Sequence, residues 1–122
     1  MNINLSGSII KQVDAIIQTA IDRGVSDIHI EPFEKKFRVR YRLDGVLLSV
    51  SSLPVQQKDA VVSRVKIMAN LDIAEKRRPQ DGRIKVRQLN GNDIDLRVST
   101  LPTQFGEKVV MRTKLLLRMT KC

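Results

Sequence analysis

From Phe37 to Leu43 the chain alternates without a fault. Phe37, Val39, Tyr41 and Leu43 fall on one side, and Arg38, Arg40 and Arg42 on the other. A period of two is that of a strand with one buried and one wet face. Asp44-Gly45 follows, a pair that accepts the positive φ angles of a tight hairpin turn, and Val46 to Val50 reads as the returning strand. An antiparallel hairpin with a basic outer face is thus written into the middle of the chain. Two strands cannot bury an apolar face by themselves, so the flanking sequence must add strands and a covering layer.

The flanks supply both. Ile9, Ile10, Val13, Ile16, Ile17, Ala20 and Ile21 recur at helical spacing, with Ser8 as N-cap and Gly24 as the stop. Ser26 to Ile30 is a short strand ended by Pro32. Its Ile28 and Ile30 share one face, and Asp27, His29 and Glu31 share the other. Pro54 opens a second helix with a stripe of Val61, Val62, Val65, Met68 and Ala69; Arg64 and Lys66 lie outside it, and Asn70 ends it. Ile73 to Gly82 has no clean period and reads as an ordered loop, or a short helix and turn. Strands follow at Arg83 to Leu89, Ile94 to Leu101 and Glu107 to Thr113, separated by the turn Asn90-Gly91-Asn92-Asp93 and the loop Pro102 to Gly106. The order is α-β-β-β-α-β-β-β. Tight turns within each strand set require a mostly antiparallel sheet with helices on one face, an α+β fold and not a parallel, doubly wound one. The two helix-plus-three-strands units are only weakly alike.

The length of 122 residues fits one domain, with 1–113 as the folded unit and 114–122 as a shortened linker or added tail. With aromatics at 3%, the core must be built from Ile, Val, Leu and Met. The net charge of +9 attracts polyanions: nucleic acid, phosphorylated ligands, an acidic membrane face or an acidic protein. The one cysteine, Cys122, stands at the last position, which rules out an internal disulfide and suits a reducing compartment. No apolar run has the length of a membrane span, and Met1 to Gly7 lacks the features of a signal peptide, so a cytoplasmic location is expected.

Several chemistries are excluded by what the sequence lacks. One His and one Cys cannot build a structural zinc site, and no metal site is expected. There is no G-x-S-x-G, H-E-x-x-H or G-x-G-x-x-G, and no G-x-x-x-x-G-K-[ST] to cradle phosphates, so the chain alone should not hydrolyse ATP. His29, flanked on its face by Asp27 and Glu31, reads as a structural histidine in a local salt network, with a catalytic or ligand role as the alternative. Arg38, Arg40 and Arg42 form either the solvated face of a sheet or a charged docking face, and Arg83, Lys85 and Arg87 read the same way. Arg97 and Arg112 each follow an apolar residue inside a strand. Arginines held in this way can meet a phosphate with two parallel hydrogen bonds.

Ser26-Asp27-Ile28-His29-Ile30-Glu31-Pro32 resembles a signature string of the type II secretion and type IV pilus assembly ATPases. Arg38-Val39-Arg40-Tyr41-Arg42-Leu43-Asp44-Gly45 is similar to that family's basic hairpin. Ser63 to Ala69, Leu71 to Arg77, Pro79-Gln80-Asp81-Gly82-Arg83-Ile84, Arg97-Val98-Ser99-Thr100-Leu101-Pro102 and Gly106 to Arg112 match further family strings in order. The resemblance implies the N-terminal (N2, PAS-like) domain of a hexameric motor, peripheral to the inner membrane. Its expected partners are a RecA-like catalytic domain of the same or a neighbouring subunit and inner-membrane platform proteins. It implies ATP and Mg2+ in the parent enzyme, with neither held tightly by this chain, and it carries two phosphate-contacting arginines onto Arg97 and Arg112. After Arg112 the family would continue into a leucine- and aspartate-containing linker, where this chain has Thr113 to Cys122. Two other readings are a nucleic-acid-binding module and a pure docking module. The first is disfavoured because Phe37 and Tyr41 lie on the apolar face, away from any base-stacking platform; no specific nucleic acid is expected. The docking reading rests on Arg38, Arg40 and Arg42.

Overall fold

A computed structural model describes residues 8–89 and 91–115. Asn90 of the expected turn, most of the expected tail and Cys122 lie outside the described residues. Helix α1 spans Ile9–Asp22, and the Ser8 Oγ accepts from the Lys11 N–H at 3.3 Å. Strands β1 (Asp27–Pro32), β2 (Phe37–Leu43) and β3 (Val46–Leu53) follow. A 3₁₀ turn over Val55–Gln57 leads into α2 (Lys58–Met68), so the α-helix starts later than Pro54 suggested. Strands β4 (Gln80–Val86), β5 (Ile94–Thr103) and β6 (Gly106–Leu115) complete the chain.

All pairings are antiparallel, in the order β3-β2-β1-β6-β5-β4. The element order is the one expected, and the α+β class holds. The centre of the sheet pairs the first strand of one unit with the last strand of the other, so the likeness of the two units does not extend to symmetric pairing. Asp44 and Gly45 take φ of 52° and 81°, the primed turn that Asp-Gly predicts.

Both helices end in the same way. After α1, Gly24 at φ 70° lets its own N–H reach the Ile21 carbonyl and the Val25 N–H reach that of Ala20. After α2, Asn70 at φ 58° does the same with Ile67, and Leu71 with Lys66. These are Schellman closures, with Gly in one and Asn in the other at the left-handed position.

Ile28, Ile30, Phe37, Val39, Tyr41, Leu96, Val98, Val109 and Met111 form the buried sheet face. Against it pack Val13, Ile16 and Ala20 of α1 and Val61 and Val65 of α2. The Tyr41 hydroxyl donates to the Ile16 carbonyl, which ties α1 to β2; burial raises its pKa. No helix among the described residues is long and apolar enough to cross a membrane.

One expectation is overturned outright. Lys66, read as lying outside the helix stripe, is 1% exposed. Its Nζ stands 2.8 Å from Glu107 Oε2 and donates to the Glu75 carbonyl at 2.7 Å. The loop after α2 folds back over the helix and encloses the ammonium. Met68, expected in the stripe, is only half-buried.

That loop is ordered by short polar contacts, not by a helix. Gln80 closes it: its Oε1 accepts from the Asp72 N–H and its Nε2 donates to the Asp72 carbonyl, both at 2.9 Å. β4 therefore begins at Gln80, three positions before the expected start, and stops at Val86 instead of Leu89. Gly82 lies where loop and strand meet. A Cβ there would come within 2.7 Å of the Ala69 carbonyl oxygen and 2.9 Å of Leu71 Cδ2. We expect Gly82→Ala to destabilise the domain by about 1–3 kcal/mol, because the clash is with backbone. Urea unfolding checks this; an unchanged midpoint would show that the loop can move aside.

Candidate functional site

The outer face of the sheet is built by the residues that alternate with the core. Register places one row of them straight across five strands. Arg83 of β4 is opposite Arg97 of β5, which is opposite Arg112 of β6; Arg112 is opposite Asp27 of β1, and Asp27 is opposite Arg42 of β2. The sequence singled out Arg97 and Arg112 separately; the fold makes them direct neighbours. Arg83 was assigned only to a basic ladder, and it completes a run of three guanidinium-bearing neighbours.

These three arginines line a shallow concavity of about 570 Å³, together with Asp81 and Ser99. The Ser99 hydroxyl donates to Asp81 Oδ1 at 2.7 Å, which occupies part of the one carboxylate there. Arg112 Nε donates to Asp27 Oδ1 at 3.2 Å, while its side chain stays 73% exposed. Arg83 reaches Asp95 only at 3.8 Å, and its side chain is 66% exposed. Arg97 is exposed, and its side chain makes no hydrogen bond or ion pair among the described residues.

Like charges on directly opposed strand positions repel and are mildly destabilising. The row carries two such pairs, so its folded arrangement favours an anion in the concavity. Guanidinium forks fit phosphate or carboxylate oxygens. The concavity is open, and suits an anion presented from outside better than one it must enclose.

The other expected residues form an adjoining part of the same face. Asp27, His29 and Glu31 do share it; the ion pairs of the two carboxylates run across strands to arginines, and His29 feels both carboxylates electrostatically. Arg40 grips Glu31 with two bonds, Nε to Oε1 at 2.7 Å and Nη2 to Oε2 at 3.0 Å. Burial pushes the Glu31 carboxyl upward. The Arg40 guanidinium, as donor and as charge, more than reverses this and holds the carboxyl below its ordinary range. Arg42 Nε lies 3.4 Å from Asp27 Oδ2. Burial of His29 lowers its pKa below the usual 6.5, against the opposing pull of Glu31 and Asp27.

Two of the three hairpin arginines thus face carboxylates. The third, Arg38, has its guanidinium 4.7 Å from the centre of the Phe33 ring. Phe37 and Tyr41 are fully buried, so neither offers a platform to a nucleobase.

Comparison with known proteins identifies the family. The family model described as "Type II/IV secretion system protein" matches residues 3–118. The chain is 53% identical over 117 residues to the type IV pilus assembly ATPase PilB of Myxococcus xanthus, covering 93% of this chain and 21% of the relative. It is 57% identical over 104 residues to the type II secretion system protein E of Xanthomonas campestris pv. campestris, covering 85% of this chain and 18% of the relative. The type II secretion system ATPase E of Vibrio cholerae is 55% identical over 104 residues, with 85% and 20% covered. The chain therefore spans about a fifth of the length of the curated relatives it matches. Among solved structures, the Legionella pneumophila ATPase DotB superposes with a TM-score of 0.64 at 13% identity, covering 93% of this chain and 32% of that one. That likeness is one of fold.

Proposed function

Because the chain belongs to the type II/IV secretion system protein family, we propose that it is the N-terminal, non-catalytic domain of a secretion or type IV pilus assembly ATPase. It presents Arg97 and Arg112 to the terminal phosphates of ATP, which a RecA-like domain of the same or a neighbouring subunit holds with Mg2+. The motor is a hexamer at the cytoplasmic face of the inner membrane, where platform proteins are its partners.

The observation that carries this reading is the cross-strand pair Arg97–Arg112 over an open concavity, with Arg97 unpaired among the described residues. ATP supplies the phosphoryl group that is transferred to water. The chain's own part is electrostatic. The sheet fixes the backbone positions of Arg97 and Arg112 directly opposite each other, so two cations stand together where charge on equatorial oxygens is to be met. The arginines hold and orient those oxygens and lower the cost of the charge that builds up on them. They do not act as bases, since a guanidinium stays protonated. Arg83, beside Arg97, adds positive potential at the rim.

The test uses the chain itself. Thermal melts at constant ionic strength, with inorganic tripolyphosphate replacing chloride, should raise Tm by about 5 °C as the site fills. The rise should vanish in the Arg97→Ala/Arg112→Ala double variant. An equal rise in that variant, or no rise in either chain, contradicts the assignment.

A further inference from the structure

We infer that Asp27 is a positioning residue: its carboxylate tethers Arg112 by Nε and leaves the two terminal nitrogens of that guanidinium available to an anion. This rests on the phosphate-facing reading of Arg112.

Asp27 is the only acid in the row across the sheet, and its side chain is 12% exposed. Its two oxygens are divided between neighbours. Oδ1 accepts from Arg112 Nε at 3.2 Å. Oδ2 accepts from the Ser26 hydroxyl at 3.2 Å and lies 3.4 Å from Arg42 Nε. Arg42 is anchored in turn, with Nη1 donating to the Gly45 carbonyl of the hairpin turn at 3.1 Å. A chain of contacts therefore runs from a rigid turn through Arg42 and Asp27 to Arg112.

The choice of nitrogen matters. A carboxylate that gripped the terminal nitrogens of Arg112 would compete with phosphate for the same fork. Held through Nε alone, Arg112 keeps both Nη groups free of other partners among the described residues, although its side chain is 73% exposed. An untethered arginine on an open sheet face would sample many rotamers and have to lose that freedom at each encounter. Arg97 has no such tether, so the two arginines differ in preorganisation although they stand side by side.

The inference has a sign that simple charge does not share. Removing Asp27 raises the net positive charge of the row, which by itself would strengthen the attraction for phosphate. Positioning predicts the reverse. In a full-length ATPase carrying this domain, Asp27→Ala should lower kcat about tenfold with KM within about twofold. In an Arg112→Ala background the same substitution should cost less than about twofold, because the group it positions is gone. In an Arg97→Ala background it should still cost more than about threefold, because Arg112 is present to be positioned. Should Asp27→Ala fail to fold, the near-isosteric Asp27→Asn carries the same cycle, with an expected loss of about threefold. Unchanged or increased kcat on losing the carboxylate overturns the inference, as does an undiminished loss in the Arg112→Ala background. If Arg112→Ala alone leaves kcat at the wild-type value, the phosphate reading itself fails, a result distinct from failure of the tether.

Discussion

Replacing Arg112 or Arg97 by alanine in a full-length ATPase that carries this domain should lower kcat by about 10²- to 10³-fold. This is the range seen when one preorganised donor to a developing oxyanion is removed. The two losses should combine less than additively, because the arginines are direct cross-strand neighbours and would share one anion. The melting temperature of the isolated domain should hardly change, since Arg97 is unpaired and Arg112 makes one partly exposed ion pair, the kind that contributes little to stability. Steady-state hydrolysis beside thermal melts separates the two readouts. Near-normal turnover in both variants would remove the arginine assignment.

The second large effect is on folding. Lys66→Ala should destabilise the domain by about 3–5 kcal/mol by leaving the Glu107 carboxylate buried without its cation. Against a typical total of about 5–15 kcal/mol, that loss brings the domain near the edge of stability and lowers Tm by more than about 10 °C. The double replacement Lys66→Met/Glu107→Leu should recover most of the loss, because apolar side chains of similar volume match or exceed a buried ion pair. The Glu75 carbonyl keeps a donor in that variant, Gln80 Nε2 at 3.2 Å. If denaturant unfolding shows Lys66→Ala and wild type equally stable, the buried pair has been misjudged.

The two arginines and the lysine also show what could be read from the residues alone. Strand alternation found both faces of the sheet, and the Asp44-Gly45 turn fixed the register of β2 against β3 as far as the irregularity between Val39 and Arg40. The β5–β6 register was legible in principle. Thr103 pairs with Gly106 around a tight turn, which puts Arg97 opposite Arg112. Reading Pro102 to Gly106 as a loop hid this, because a loop of unfixed length fixes no register. Arg83 was missed as a neighbour of Arg97 for a related reason, since the longer connection between β4 and β5 carries no single register signal.

Asp27 was grouped correctly with His29 and Glu31 by face. Its partners come from two other strands, one of them far along the chain, and no local pattern reports such a contact. Lys66 failed differently. A lysine beside an apolar stripe normally lies in water, and only the return of the Asp72–Gln80 loop and the approach of Glu107 enclose it. Long-range contacts of this kind are set by tertiary packing and leave little trace in periodicity.

The central claim is that the exposed arginine row meets phosphates held by another domain. A crystal structure of the full-length ATPase with Mg2+ and a non-hydrolysable ATP analogue tests it most directly. The prediction is that guanidinium nitrogens of Arg97 and Arg112 lie within about 3 Å of terminal phosphate oxygens in at least one subunit state. If both arginines stay beyond the reach of one bridging water, about 6 Å, in every nucleotide-loaded subunit, the claim is contradicted.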